Sequence, residues 1–147
     1  MNFPLISCYG ANITINDVGG FFPVALAISF LYAKRMPLWP FLVGIVLTML
    51  NSQICAGGVQ VNVLMVSLFI GIFSTTWYEA FTTGVFSVLI GSDMATLPNL
   101  LSFTAKLHKH GGAELTIGGG GFHDAILVVG LISALVSQAL AQRIWKR

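Results

Sequence analysis

Charge is what this sequence has least of. Only 8% of its 147 residues are Asp, Glu, Lys or Arg, while 56% are hydrophobic. A soluble domain carries about a quarter charged residues. So few charges could not cover a soluble surface, which excludes all but an exceptionally apolar soluble domain and points to an integral membrane protein. The formal net charge is +2 and the basic residues sit in short flanking clusters, so no nucleic-acid partner is expected. Cysteine is almost absent too. Cys8 and Cys55 stand alone, which excludes a disulfide framework and zinc spacing; the two could pair only if folding brings them together. Leu5-Ile6-Ser7-Cys8 imitates a lipoprotein processing box. It lacks a basic segment and a sufficient apolar run before it, so Cys8 is expected to stay in the protein.

What is present is a series of long apolar runs, with mean hydropathy +0.87. A helix needs about 20 apolar residues to cross about 30 Å of hydrocarbon. Five runs approach this. The first follows Gly19-Gly20 and ends at Lys34-Arg35, with Pro23 suited to its first turn. The others run from about Leu38 to Ala56, Val61 to Tyr78, Ala80 to Leu101 and Phe122 to Gln142. Trp77 and Tyr78 fit the role of interfacial aromatics. Under this count Lys34, Arg35, Arg143, Lys146 and Arg147 share one side, and only Lys106 and Lys109 fall on the other. The positive-inside rule then places the C-terminus in the cytoplasm and the N-terminus outside. A four-span arrangement with a re-entrant first segment would split the basic clusters between the two sides, and ranks second.

The two ends of the chain resemble each other. "ITINDVGGFFPVAL" (13–26) and "LTIGGGGFHDAIL" (115–127) share Thr-Ile, then Gly-Gly-Phe, then an apolar run, with one residue skipped. Each reads as an extended stretch, a glycine break and a helix start, and the extended stretches could pair as a two-stranded ribbon on the outer side. Coincidence among common membrane residues is the alternative. Gly118, Gly119, Gly120 and Gly121 permit irregular backbone at membrane depth, tolerated only where protein or water lines it. They also permit close helix approach, and broken helices of this sort build many transporter sites.

Of five acids, Glu79 and Glu114 are expected in solvated turns. Asp17, Asp93 and Asp124 lie in or beside apolar segments, where an ionised carboxylate costs several kcal/mol unless paired or hydrated. All three fall in the outer half and could converge. Asp17 and Asp124 are also suited to capping helix N-termini. Asp93 lies mid-span, about 20 Å from the start of its helix, so it is either a site residue or a neutral, hydrogen-bonded acid that only packs. Pro98, five residues on, predicts a bend or break nearby. His123 adjoins Asp124 and could tune it, although a stray interfacial histidine accounts for it equally. His108 and His110 in "KLHKHGG" (106–112) look like a metal clip but read as a solvated loop, and no metal or other cofactor is assigned.

"INDVGGFFPVAL", "AFTTGVFSVLIGSDM" and "TIGGGGFHDAILVVGLISALVS" together resemble a bacterial and archaeal membrane family of unknown function, family 1614. The family's Gly-Ala-Asp segment stands here as Gly91-Ser92-Asp93. Its glycine-rich Phe-Asp-Gly segment stands as Gly118 to Gly121, Phe122, His123, Asp124 and Ala125, and Asp17 replaces an asparagine. The resemblance implies a polytopic membrane protein and no particular activity. A weaker likeness is to Gly-x-Gly-Asp intramembrane aspartyl proteases, in which two aspartates on neighbouring helices share a proton. Asp93 and Asp124 have that order, but His123 rather than glycine precedes the second.

The expectation is therefore one polytopic, all-α membrane domain over residues 1–147, prokaryotic and in the cytoplasmic membrane. Its candidate site is Asp93, Asp124 and Asp17 with His123, handling protons, cations or small solutes. The alternatives are a non-catalytic subunit of a larger membrane assembly, or a protease. Its partners would be the bilayer and further membrane subunits, or copies of itself.

Overall fold

The computed structural model describes residues 1–8, 11–55, 58–107, 113–119 and 121–144. Five helical rods alternate in direction. The first opens as a π turn at Asp17–Phe21 and continues as α1 (Phe22–Ala33), with Pro23 in its first turn. α2 (Trp39–Leu50) and α3 (Val63–Phe73) are joined by a hairpin of β3 (Ser52–Cys55) and β4 (Gly58–Val61). The fourth rod runs unbroken through α4 (Trp77–Val88), a π turn at Leu89–Met94 and α5 (Ala95–Leu107). α6 (Ala125–Ile144) is the fifth.

The helix starts follow from local chemistry. Asn62 Oδ1 accepts the Met65 N–H at 3.2 Å to cap α3, and Thr76 Oγ1 accepts the Glu79 N–H to cap α4, each satisfying an otherwise orphan donor. Pro98 sits inside α5. A proline ring collides with the carbonyl four residues back, here that of Met94, the last residue of the π turn. The irregularity therefore falls one turn before the proline.

α4 is the central rod, packed by α1, α2, α3 and α6. Phe30 of α1 meets Trp77, Tyr78 and Phe81 of α4. Lys34 Nζ lies over the Tyr78 ring, 5.9 Å from its centroid. Ser137 donates to the Ser74 carbonyl at 3.3 Å, so the far part of α6 reaches this same end of the bundle. Helices α4 and α6 cross where Gly84 meets Gly130; a Cβ added at Gly84 would lie 3.0 Å from Gly130 Cα. Small residues let two backbones approach this closely.

Hydroxyl side chains share the interior with an apolar core, and many large apolar side chains face outward. Thr48, Ser67, Thr82, Thr83, Ser87, Ser92, Ser133 and Ser137 are buried, while Ile28, Leu42, Val46, Leu64, Ile72, Leu131 and Leu135 are exposed. Two helical stretches, Trp77–Asn99 and Ala125–Gln142, are long and apolar enough to cross a membrane. The second and third rods are shorter than their apolar runs. The run from Leu38 to Ala56 ends its helix at Leu50 and continues as β3, and the run from Val61 to Tyr78 is helical only over Val63–Phe73. At 1.5 Å per residue α2 and α3 are each about 17 Å long, half a hydrocarbon thickness.

The resemblance between the chain ends has a structural counterpart. β2 (Ala11–Asn16) and β5 (Ala113–Ile117) pair in parallel, with Thr14 opposite Thr116 and Ile15 opposite Ile117. That is the register of the sequence alignment. The two threonine hydroxyls are hydrogen-bonded at 2.9 Å. The expected ribbon is in fact a three-stranded sheet, because β1 (Asn2–Cys8) covers the other edge of β2 antiparallel. An edge strand leaves N–H and C=O groups unpaired, and β1 satisfies one such row. In a background with Cys8 and Cys55 replaced by serine, Thr14→Cys with Thr116→Cys should form a disulfide under mild oxidation, visible as a shift in non-reducing electrophoresis. Absence of the cross-link would refute the pairing.

Candidate functional site

The two glycine breaks meet backbone to backbone beneath the sheet. Gly118 has φ +72° and Gly121 φ +58°, where a side chain is strained. A Cβ at Gly118 would overlap the backbone of Gly19 and Gly20. One at Gly19 would overlap the Gly118 carbonyl oxygen and come within 2.8 Å of Asp124 Cβ. Glycine at these places brings the start of α6, and with it Asp124, against the start of the first rod. Gly120 lies outside the described residues, as do His108 and His110 of the possible metal clip. The Cys8 and Cys55 side chains are outside them too. Among the described residues no cluster of three His, Cys, Asp or Glu could hold a metal ion.

Asp124 is the residue immediately before α6. Its Oδ1 accepts the Ile126 N–H at 2.9 Å, and its carbonyl accepts the Val128 N–H at 3.0 Å. It therefore caps the helix and places a carboxylate at the positive end of the helix dipole. Asp93 is partly buried within the π turn of the fourth rod, next to fully buried Ser92. Asp93 and Asp124 lie within electrostatic reach of one another. Single π turns inside α-helices are frequent at functional sites.

Asp17 makes an ion pair of its own. It is 38% exposed, and its Oδ1 lies 2.9 Å from the Met1 amino nitrogen. That hydrogen bond holds the Asp17 carboxyl below its ordinary aspartate value, assisted by the Val18 N–H. The cap on the first rod comes instead from Asn16, whose Oδ1 accepts the Val18 and Gly19 N–H groups at 3.1 Å each. His123 ends a short 3₁₀ turn, Gly121–His123, with its side chain exposed.

Glu79 overturns the expectation of a solvated turn. It is 3% exposed, and its Oε2 accepts from the Thr75 hydroxyl at 2.6 Å and the Thr75 N–H at 3.2 Å. Thr76-Trp77-Tyr78-Glu79 has the Thr-x-x-Glu spacing of a capping box, which folds the glutamate back over the helix start. That spacing was legible in the sequence. Glu114 lies on strand β5 rather than in a loop.

No curated protein and no solved structure matches the chain. A family model does match residues 2–136, a stretch that includes both strand-and-glycine breaks, the π turn with Asp93, and Asp124. The features that build the candidate site thus all fall within the matched region, and the chain belongs to that family, the proteins of unknown function DUF1614.

Proposed function

We propose that this protein is a five-helix membrane protein that handles protons or small cations through the carboxyl pair Asp93 and Asp124. The observation that carries the reading is their juxtaposition: a carboxyl in a π turn within electrostatic reach of a second at a helix N-terminus. Capping accounts for Asp124 but gives Asp93 no task. The glycine breaks, which cost backbone entropy and strain, are what bring Asp124 into place. The apolar exterior and hydroxyl-bearing interior support a lipid surround. In it, α2 and α3 reach part-way as half-helices joined to the β3–β4 hairpin, as broken helices do in transporters. Lys34, with Arg35, marks the cytoplasmic end, where the α6 C-terminus also lies.

Two carboxyls within electrostatic reach disfavour ionising together, so the pair is expected to keep a proton that a lone exposed aspartate would lose. Infrared spectra of the detergent-solubilised protein should show a protonated carboxylic C=O band persisting above neutral pH and lost in Asp93→Asn. Asp124→Asn keeps the helix cap, since asparagine caps as well as aspartate, but removes the second charge, so the remaining band should titrate at lower pH. Two carboxyls ionising independently near pH 4, as exposed aspartates do, would sink the proposal.

A further inference from the structure

Along α4 a set of buried polar atoms has no hydrogen-bond partner among the described residues: Glu79 Oε1, Thr83 Oγ1, Ser87 Oγ and Ser92 Oγ. Their residues are 3%, 1%, 0% and 0% exposed. Glu79, Thr83 and Ser87 are four residues apart, so they lie on one helix face about 6 Å apart along the axis. Ser92 follows five residues on, across the π turn, and adjoins Asp93. Hydroxyls in apolar helices ordinarily bond the carbonyl four residues back, and here several do. Thr48 bonds Gly44 O at 2.8 Å, Ser67 bonds Val63 O at 2.6 Å, and Thr82, next to Thr83, bonds Tyr78 O at 2.7 Å. Those of the row do not, although a buried hydroxyl without a partner costs about 1–3 kcal/mol. The Ser87 hydroxyl turns instead to the seam with α2, where Gly44 leaves space for it, and Thr83 sets its methyl group against the same glycine.

The geometry points to a hydrated row, Glu79–Thr83–Ser87–Ser92, that carries protons along α4 between the Lys34 end of the bundle and Asp93. The inference rests on the reading of Asp93 and Asp124 as a proton-handling pair, and it names the ion and the route. Thr83 and Ser87, about 6 Å apart along the axis, are too distant for a direct bond of about 2.8 Å, but one water between them spans the gap; the longer step from Ser87 to Ser92 takes more than one. A hydroxyl donates and accepts at once. Each hydroxyl of the row therefore passes one proton on as it receives another and is left uncharged, with the Glu79 carboxyl standing at the end of the row. A bare cation is not served: it needs several oxygens together, whereas the row supplies them singly. The facing helices α2 and α3 hold no Asp, Glu, Lys, Arg or His to balance a charge.

The test is proton flux into liposomes of phosphatidylcholine and phosphatidylglycerol holding the full chain and a pH-sensitive dye, driven by a potassium diffusion potential. The wild type should acidify or alkalinise the lumen with the sign of the potential. Thr83→Val and Ser87→Ala, which remove one hydroxyl each with little change of shape, should each slow it about tenfold, the scale of one lost hydrogen bond. Ser67→Ala, off the row, should not. The protonated-acid band should also exchange into D2O more slowly in Thr83→Val and Ser87→Ala, a readout independent of reconstitution. Flux and exchange unchanged in both variants would overturn the row while leaving the aspartate pair standing. A wild type without flux that keeps the persistent C=O band would also overturn the row alone. Loss of both flux and band would overturn row and pair together.

Discussion

Replacing Gly118 with valine is expected to lower stability more than any other change within the glycine run. Three effects add. The residue sits at φ +72°, where a β-branched side chain is a genuine outlier and strain is about 1–3 kcal/mol. The new Cβ would overlap the Gly19–Gly20 backbone, which is not free to move aside, and overpacking of that kind costs about 1–3 kcal/mol. The displaced turn also carries the cap of α6. A loss of about 3–5 kcal/mol, or roughly 10 °C in Tm by the usual scaling for a chain of this size, should be visible in a detergent melt. The neighbours grade the effect. Gly121→Ala keeps only the backbone term, because nothing lies within 4 Å of its added Cβ. Gly119 is exposed, its nearest contact the Thr116 carbonyl oxygen at 3.2 Å, so Gly119→Ala should be nearly silent. If Gly118→Val, Gly121→Ala and Gly119→Ala melt alike, the glycines are a flexible linker and the two breaks do not interlock.

Asp93 is the second position where a large effect is expected, and it separates chemistry from packing. An amide reproduces the shape of a protonated acid, so Asp93→Asn should melt within about 1 kcal/mol of the parent, the scale of one altered hydrogen bond. Proton flux should fall at least about a hundredfold, as when a general acid–base group is removed. Asp93→Leu forces a larger apolar side chain into the π turn beside fully buried Ser92 and should destabilise by about 1–3 kcal/mol. Melts and flux from the same preparations check both expectations. Asp93→Asn as active as the parent would make Asp93 a packing residue. Asp124→Ala should lose about 1 kcal/mol through the cap as well as its charge, whereas Asp124→Asn loses the charge alone.

Composition and hydropathy determined the five helical segments and their order, because the apolar runs, the glycine and proline breaks and the capping residues are local signals. The likeness between residues 13–26 and 115–127 even held the strand register, since Thr14 and Thr116 pair as they align. Helix lengths were less legible. Hydropathy does not distinguish the last turns of α2 from strand β3, and only the pairing of Ser52–Cys55 with Gly58–Val61 decides between them. Which acids matter was decided almost wholly by tertiary structure. Asp17 and Asp124 look alike in sequence, yet Asn16 takes the cap in one copy and Asp124 in the other. Glu79 is buried by a capping fold that the Thr-x-x-Glu spacing announces but whose depth in the bundle it does not. The unpartnered hydroxyls of Thr83, Ser87 and Ser92 carry no sequence mark at all. A serine or threonine in an apolar helix can always turn back on its own carbonyl, and only the packing of α2 through Gly44 sets the Ser87 hydroxyl at the α2 seam instead.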